Sequence, residues 1–413
     1  MIEFKLSRWK GLFLAIWSGQ ALSVVGSHLV RFSLIWWITV KTGRASTLAI
    51  ATLLGVLPQM LAPMAGALID RWNRRHIMIL ADAFIALAVA FLAVIFWLGI
   101  ARTWHVMVIL LAGSVGDVFH NNAMVASTTL MVPKNQLSRI AGMNQTLTGI
   151  SNVVAPPLGA LLVSIMPIGQ ILAIDVATAL IAIVPLIFIL IPQPNVREGQ
   201  KKSTTIVHTF VEGFRYLLNC KGLLFLFIYS SAIRLIARPA WQMLPLLITK
   251  HFGGEAIHLG MMSSAFGFGM IAGGIILGLW GGFRKRIMTS WAGLLGCGIS
   301  FLILGVTPVG SFWIAVATSA FFGIVFSIYM GPIRAIIQAT VPPHIQGRIS
   351  TIYTSAMAMT APIGLGIIGM FGDLLGINVI YVFGGASIMF FALTMRMTPS
   401  VMKIDDPDER KPI

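Results

Sequence analysis

The chain has 413 residues, of which 57% are hydrophobic and only 10% charged, and its mean hydropathy is +0.90. That balance excludes an ordinary water-soluble globular domain. The formal net charge of +16 is dispersed over short loops rather than gathered on one face, which argues against a nucleic-acid partner.

Apolar stretches of about 20 residues, enough to cross a hydrocarbon layer of about 30 Å as helices, recur from Leu12 to Leu393. Lipid supplies no hydrogen bonds, so runs this long and continuous are helices that satisfy their own backbone. Cutting at Pro, Gly and charged clusters predicts twelve spans: 11–40, 47–69, 77–98, 105–131, 140–165, 171–191, 221–249, 258–280, 287–306, 312–339, 349–371 and 379–395. The first is too long for a signal-peptide core and lacks a small-residue cleavage site, so it counts as a span. Cys220 and Cys297 lie far apart without metal-ligand spacing, and no disulfide framework, metal or cofactor is expected.

The longest polar stretch begins at Pro192 and divides the spans six and six. The expected organisation is an N-terminal six-helix bundle (1–191), a cytoplasmic linker (192–220), a C-terminal six-helix bundle (221–396) and a cytoplasmic tail (397–413). An amphipathic helix is expected in the linker from Ser203. The halves echo each other: "VPKNQLSRI" from Val132 matches "VPPHIQGRI" from Val341, and "RRHIM" ending at Met78 matches "RKRIM" ending at Met288. Two matches at an offset of about 210 residues, both at inner loops, point to duplication of a six-span unit. With the N-terminus inside, 21 of the 29 Lys and Arg residues fall on the inner side, four outside and four within spans. The positive-inside rule then places both termini in the cytoplasm.

Titratable or charged residues also occur inside the spans: His28 and Arg31 in the first, Asp117 and His120 in the fourth, Arg234 and Arg238 in the seventh, and Arg334 in the tenth. The first three pairs are spaced i,i+3 or i,i+4, so both members share a helix face. Such groups are costly in lipid and normally face a protein interior or a water-filled path. Asp117 either neutralises an Arg across a cavity or serves as proton carrier and counter-charge to a cationic substrate. His28 and His120 are suited to proton exchange. Trp36, Trp37, Trp241 and Gln242 are candidates for an aromatic and polar wall. Asp82 and Asp175 fall within two turns of predicted span ends, where a structural role is the simpler expectation.

Between the second and third spans stands "GALIDRWNRRHIM", which resembles the inner-loop signature of the major facilitator superfamily through Gly66, Asp70, Arg71, Arg74 and Arg75. The stretches "WSGQALSVVGS" from Trp17 and "LAPMAGALIDRWNRRHIMILAD" from Leu61, with "VFH" at 118–120, resemble its macrolide-efflux branch of bacterial drug exporters. The resemblance implies an all-α integral membrane fold of twelve transmembrane helices in two pseudo-symmetric bundles, with spans one, four, seven and ten around a central cavity. It also implies a conformational gate at Asp70 and Arg71, with Asp82 and Arg348, because the family's loop Asp latches the outward-facing state. "GMNQTLTGISNVVAPPLGA" in the fifth span resembles the antiporter signature at Gly142, Pro156 and Gly159. Gly113 stands where related exporters often carry an Arg, so a proton mechanism built on that Arg is not carried over.

The expected function is secondary active export of amphipathic small molecules, of drug or macrolide type, by proton antiport with alternating access. The expected setting is a monomer in the lipid bilayer of a bacterial inner membrane. Four embedded arginines against a single central Asp keep a second substrate class open, an anionic or zwitterionic metabolite or lipid. No HExxH, GxSxG or GxxxxGK[ST] pattern is present, so neither an enzyme nor an ATP-driven pump is expected; a sensor or scaffold would ordinarily carry an added soluble domain. Asp70→Ala is expected to shift accessibility labelling toward the inward-facing state, and unchanged labelling would remove Asp70 from the gate.

Overall fold

The computed structural model describes residues 2–3, 9–69, 72–193 and 214–405. Asp70, Arg71, most of the linker and the end of the tail lie outside the described residues. The described chain is almost wholly helical, as a hydrocarbon solvent requires of a chain without a closed barrel. In order come α1 (Trp9–Thr42), α2 (Ala45–Val56), α3 (Ala62–Ile69), α4 (Arg74–Trp97), α5 (Thr103–Met131), α6 (Leu137–Ile165) and α7 (Ile168–Phe188). Then follow α8 (Lys221–Gln242), α9 (Ala256–Trp280), α10 (Arg286–Val306), α11 (Phe312–Thr340), α12 (Pro343–Leu375) and α13 (Ile377–Met397). Eleven helices are long and apolar enough to cross a membrane, and a shorter apolar one occupies Ala45–Leu61. This is the twelve-helix all-α membrane fold expected.

Most boundaries fall within a few residues of those predicted, and the two departures both lie near a proline. The second span is split into α2, a 3-10 turn at Leu57–Leu61 and α3. Pro58 at the start of that turn lacks the N–H for the helical ladder. The seventh ends early at Gln242, and the chain continues through Leu244–Leu246 and a π-helical turn at Leu247–His251, with Pro245 at the break.

The membrane inverts the usual amphipathic helix. On α4 the exposed stripe is apolar, Leu80, Phe84, Leu87 and Phe91, whereas the buried side carries Asp82 among small and aliphatic residues. Asn73 begins that helix by accepting hydrogen bonds from the Arg75 and His76 amides at 3.1 and 3.4 Å.

The chain divides into two compact units, one of Met1–Gly43, Ile50–Val196 and Gly254–Gly260, the other of Arg44–Ala49, Arg197–Gly253 and Met261–Ile413. In the first, α1 and α4 pack on α7, α4 on α5, and α1 on α6. Gly159 of α6 abuts the Phe32 ring of α1, while Gly142 faces open space. A two-residue parallel pairing joins Ile2–Glu3 to Ile189–Leu190. In the second unit, α10 packs on α11 and α13, and α8 on α12 and α13. Asp373 near the end of α12 accepts hydrogen bonds from the Ala45 and Ser46 amides and the Ser46 hydroxyl, which ties the start of α2 to this unit.

Without a hydrophobic drive between helices in lipid, close backbone approach supplies much of the packing energy. Gly269 of α9 and Gly323 of α11 meet in this way: a methyl built on Gly323 would overlap the Phe266 carbonyl oxygen, and one on Gly269 the Ala320 carbonyl oxygen. Gly274, also on α9, has nothing within 4 Å of the same position. Gly323→Ala is expected to lower the unfolding midpoint, at a cost of about 1–3 kcal/mol, while Gly274→Ala leaves it near the wild-type value. Equal midpoints for the two variants would refute the close-approach argument.

Candidate functional site

Residues of the first unit line an open cavity of about 560 Å³. Because α1, α4, α5, α6 and α7 are long and pack side by side, polar residues far apart in sequence reach the same space. Arg31 of α1 donates from Nη2 to Asp117 Oδ2 of α5 at 3.1 Å, with the two side chains 43% and 37% exposed. Deeper in, His120 Nδ1 lies 2.8 Å from Asp82 Oδ1, and these side chains are only 10% and 7% exposed. Gln20 Nε2 donates to the other oxygen of Asp82 at 3.0 Å. Ser27 donates to Asp175 Oδ1 at 3.2 Å. Trp17 Nε1 donates to Asn144 Oδ1 at 2.7 Å. His28 lines the same cavity.

These contacts depend on local backbone choices. A methyl on Gly26 would overlap Thr178 Oγ1 and crowd Asp175 Oδ1, so glycine there is what lets α1 lie directly against α7 beside that carboxylate. Arg74 holds the Ala126 carbonyl through Nη1 at 2.9 Å, and Arg75 holds the Leu186 and Ile187 carbonyls, so both arginines brace helix ends. The C-terminal carbonyls of α7 have no partners within the helix, and cations are favoured there.

The sequence-predicted residues therefore separate into groups. His28, Arg31, Asp117 and His120 converge on the cavity of the first unit. The partner of Asp117 is Arg31 of the same unit rather than an arginine of the other half; α1 and α5 pack directly, which puts the two side chains in reach. Asp82, expected at the gate, sits in this cavity with His120 and Gln20. Trp36 is 7% exposed, and Trp37 meets Phe96 edge-on at 5.1 Å in the core between α1, α4 and α5. Neither tryptophan lines the cavity. Arg234, Arg238, Arg334, Trp241 and Gln242 lie in the second unit. Trp241 packs against Phe266 and Phe322 at 4.7 and 5.1 Å, and Gln242 ends α8. Gly66 is near the end of α3, and Arg348 is half-buried on α12.

Sequence reasoning missed Gln20, Ser27 and Asn144 because it looked for titratable groups. It also discounted Asp175, although an Asp within an apolar run was itself the signal. The structure starts α7 at Ile168, which puts Asp175 two turns inside the helix and 2% exposed.

Comparison with known proteins extends the fold to a family. A family model described as a transmembrane secretion effector matches residues 8–411. The chain is 35% identical to Macrolide efflux protein A of Streptococcus pyogenes over 402 residues, covering 97% of this chain and 99% of that protein. It is 23% identical to the multidrug efflux pump Tap of Mycobacterium tuberculosis over 394 residues, covering 92% and 91%. Among solved structures, a mutant of the nucleoside transporter NupG aligns with TM-score 0.70 and 13% identity over 95% of this chain and 99% of that one. A bacterial homologue of the lysosomal transporter Spinster aligns with TM-score 0.63 and 16% identity, over 94% and 96%. At such identities the structures speak for the fold alone. The family match runs almost end to end and a relative aligns along its whole length, so the chain belongs to the transmembrane secretion effector family of the major facilitator superfamily and is a multi-pass membrane transporter, not an enzyme.

Proposed function

We propose that the chain exports amphipathic small molecules, macrolide-type drugs among them, by proton antiport with alternating access. Its setting in this reading is a bacterial cytoplasmic membrane, with both termini in the cytoplasm and the chain acting as a monomer. The 35% identity to Macrolide efflux protein A over nearly the full length is the observation that carries the substrate class.

The acidic cavity supports the coupling. Asp117 is accessible and paired with a single guanidinium at 3.1 Å. A carboxylate that takes a proton loses most of its attraction for a cation, so proton and protonated amine compete for the same oxygens. That competition is a negative coupling between two ligands, which is the thermodynamic requirement of an antiporter. Arg31 supplies the resting counter-charge and is released when Asp117 is neutralised. His28 stands nearby as a second exchangeable group, while the buried Asp82–His120 pair holds α4 against α5. In the same reading the gate is formed by Gly66, Asp70, Arg71, Arg74, Arg75 and Arg348, and α6 with Gly142, Pro156 and Gly159 is the antiporter-like helix.

Asp117→Asn in proteoliposomes is expected to abolish uptake driven by a pH gradient while substrate exchange without a gradient continues. Full pH-driven uptake by that variant would overturn the coupling role. Asp82→Asn is expected to act on the fold instead, because it leaves buried His120 without its acid at a cost of about 3–5 kcal/mol. A larger drop in unfolding midpoint for Asp82→Asn than for Asp117→Asn checks this division of labour.

A further inference from the structure

The second unit carries a set of groups that export of a cation does not use. Arg234 and Arg238 are one turn apart on α8, and Arg334 lies on α11. Tyr353 of α12 is within electrostatic range of both Arg234 and Arg334, and Arg238 within range of Arg234. Between residues 221 and 397 the sequence holds just two acids, Glu255 and Asp373. Glu255 precedes α9 and belongs with the first unit, and Asp373 is bound to the start of α2. Among the described residues none of the three guanidinium groups forms an ion pair.

Arg234 Nε is buried here and lacks a hydrogen-bond partner among the described residues, and the buried Tyr353 hydroxyl lies beside Ser230. A guanidinium N–H can only donate, and a phenol O–H donates readily. Leaving the Arg234 donor unpaired costs about 1–3 kcal/mol, and more because the group is charged. What would satisfy Arg234 Nε is therefore an acceptor, to which the Tyr353 hydroxyl can also donate, and the surrounding charge favours an anionic one. Arg238 and Arg334 are exposed and can close on it from the accessible side. Trp241 follows Arg238 by three residues and Arg234 by seven, so it shares their face of α8 and adds an aromatic surface backed by Phe266 and Phe322.

We propose that Arg234, Arg238, Arg334 and Tyr353 form an oxyanion-binding site that takes the carboxylate or phosphate group of an amphipathic molecule. Arg can grip such a group through two parallel N–H donors, and Trp241 covers the apolar part next to it. The source of the anion is either a soluble amphipathic acid or a lipid headgroup. The site does not rest on proton coupling or on Asp117.

The test uses the full-length chain in nanodiscs of phosphatidylcholine, with the unfolding midpoint measured against three ligands of one shape: 1-naphthoate, 1-naphthamide and 1-naphthylmethylammonium. A ligand that binds the folded state raises the midpoint as its concentration passes the dissociation constant. Naphthoate is expected to raise it, and the amide and ammonium to leave it unchanged. Arg234→Gln and Arg238→Gln are each expected to weaken naphthoate binding about tenfold, and Tyr353→Phe to weaken it severalfold, with ligand-free midpoints near wild type. Equal responses to naphthoate and naphthamide in the wild type would overturn the site whether or not any variant folds. Repeating the titration in phosphatidylglycerol nanodiscs separates the sources: loss of the naphthoate response assigns the site to a lipid headgroup, and an unchanged response to a soluble acid. No pH gradient enters the measurement, so loss of coupling in the Asp117 experiment leaves this result untouched.

Discussion

A charge placed in hydrocarbon must be neutralised close to where it stands, and the arrangement of this protein follows from that constraint. The described residues meet it in two ways. In the first unit, acid and base are matched within a few ångströms, Arg31 with Asp117 and His120 with Asp82. In the second, Arg234, Arg238 and Arg334 form no ion pair among the described residues, and exposure of Arg238 and Arg334 stands in for pairing. Matching charges inside one unit lets that unit persist without a ligand. Gathering charges of one sign stores an affinity that a ligand of the opposite sign can use.

The fold was legible because lipid leaves few options. Spans of about 20 apolar residues have to be helices. The exceptions lay near Pro58 and Pro245, whereas Pro156, Pro157, Pro185, Pro239, Pro332 and Pro362 are held inside continuous helices. Hydropathy does not distinguish a proline that breaks a helix from one that the helix absorbs. The lipid-facing stripe of α4 shows the same limit from the other side, since Leu80 and Leu92 look alike in sequence yet are 68% and 0% exposed.

The candidate site was legible in its charged members and illegible in its pairings. His28, Arg31, Asp117 and His120 were found by asking which ionisable groups stand inside spans. Which acid meets which base depends on neighbouring helices, and the Asp82–His120 pair joins α4 to α5 across a loop that sequence spacing does not describe. Gln20 and Asn144 carry no charge and gave no signal, although each binds a side chain from a distant helix. Asp175 was set aside through a boundary placed three residues late. Small errors in span ends thus have large consequences for the reading of a membrane carboxylate.

The two acid–base pairs of the first unit differ in a way that bears on turnover. A pair that exchanges its partner during a cycle must be weak enough to open, and the roughly 40% exposure of Arg31 and Asp117 gives water access to soften the attraction. The Asp82–His120 pair is nearly sealed, and breaking it would strand a charge or an unpaired polar group in a dry interior. Exchange therefore belongs to the outer pair and cohesion to the inner one. Gln20 strengthens that division, because its amide holds the second oxygen of Asp82 and adds a further bond that an incoming cation would have to compete with.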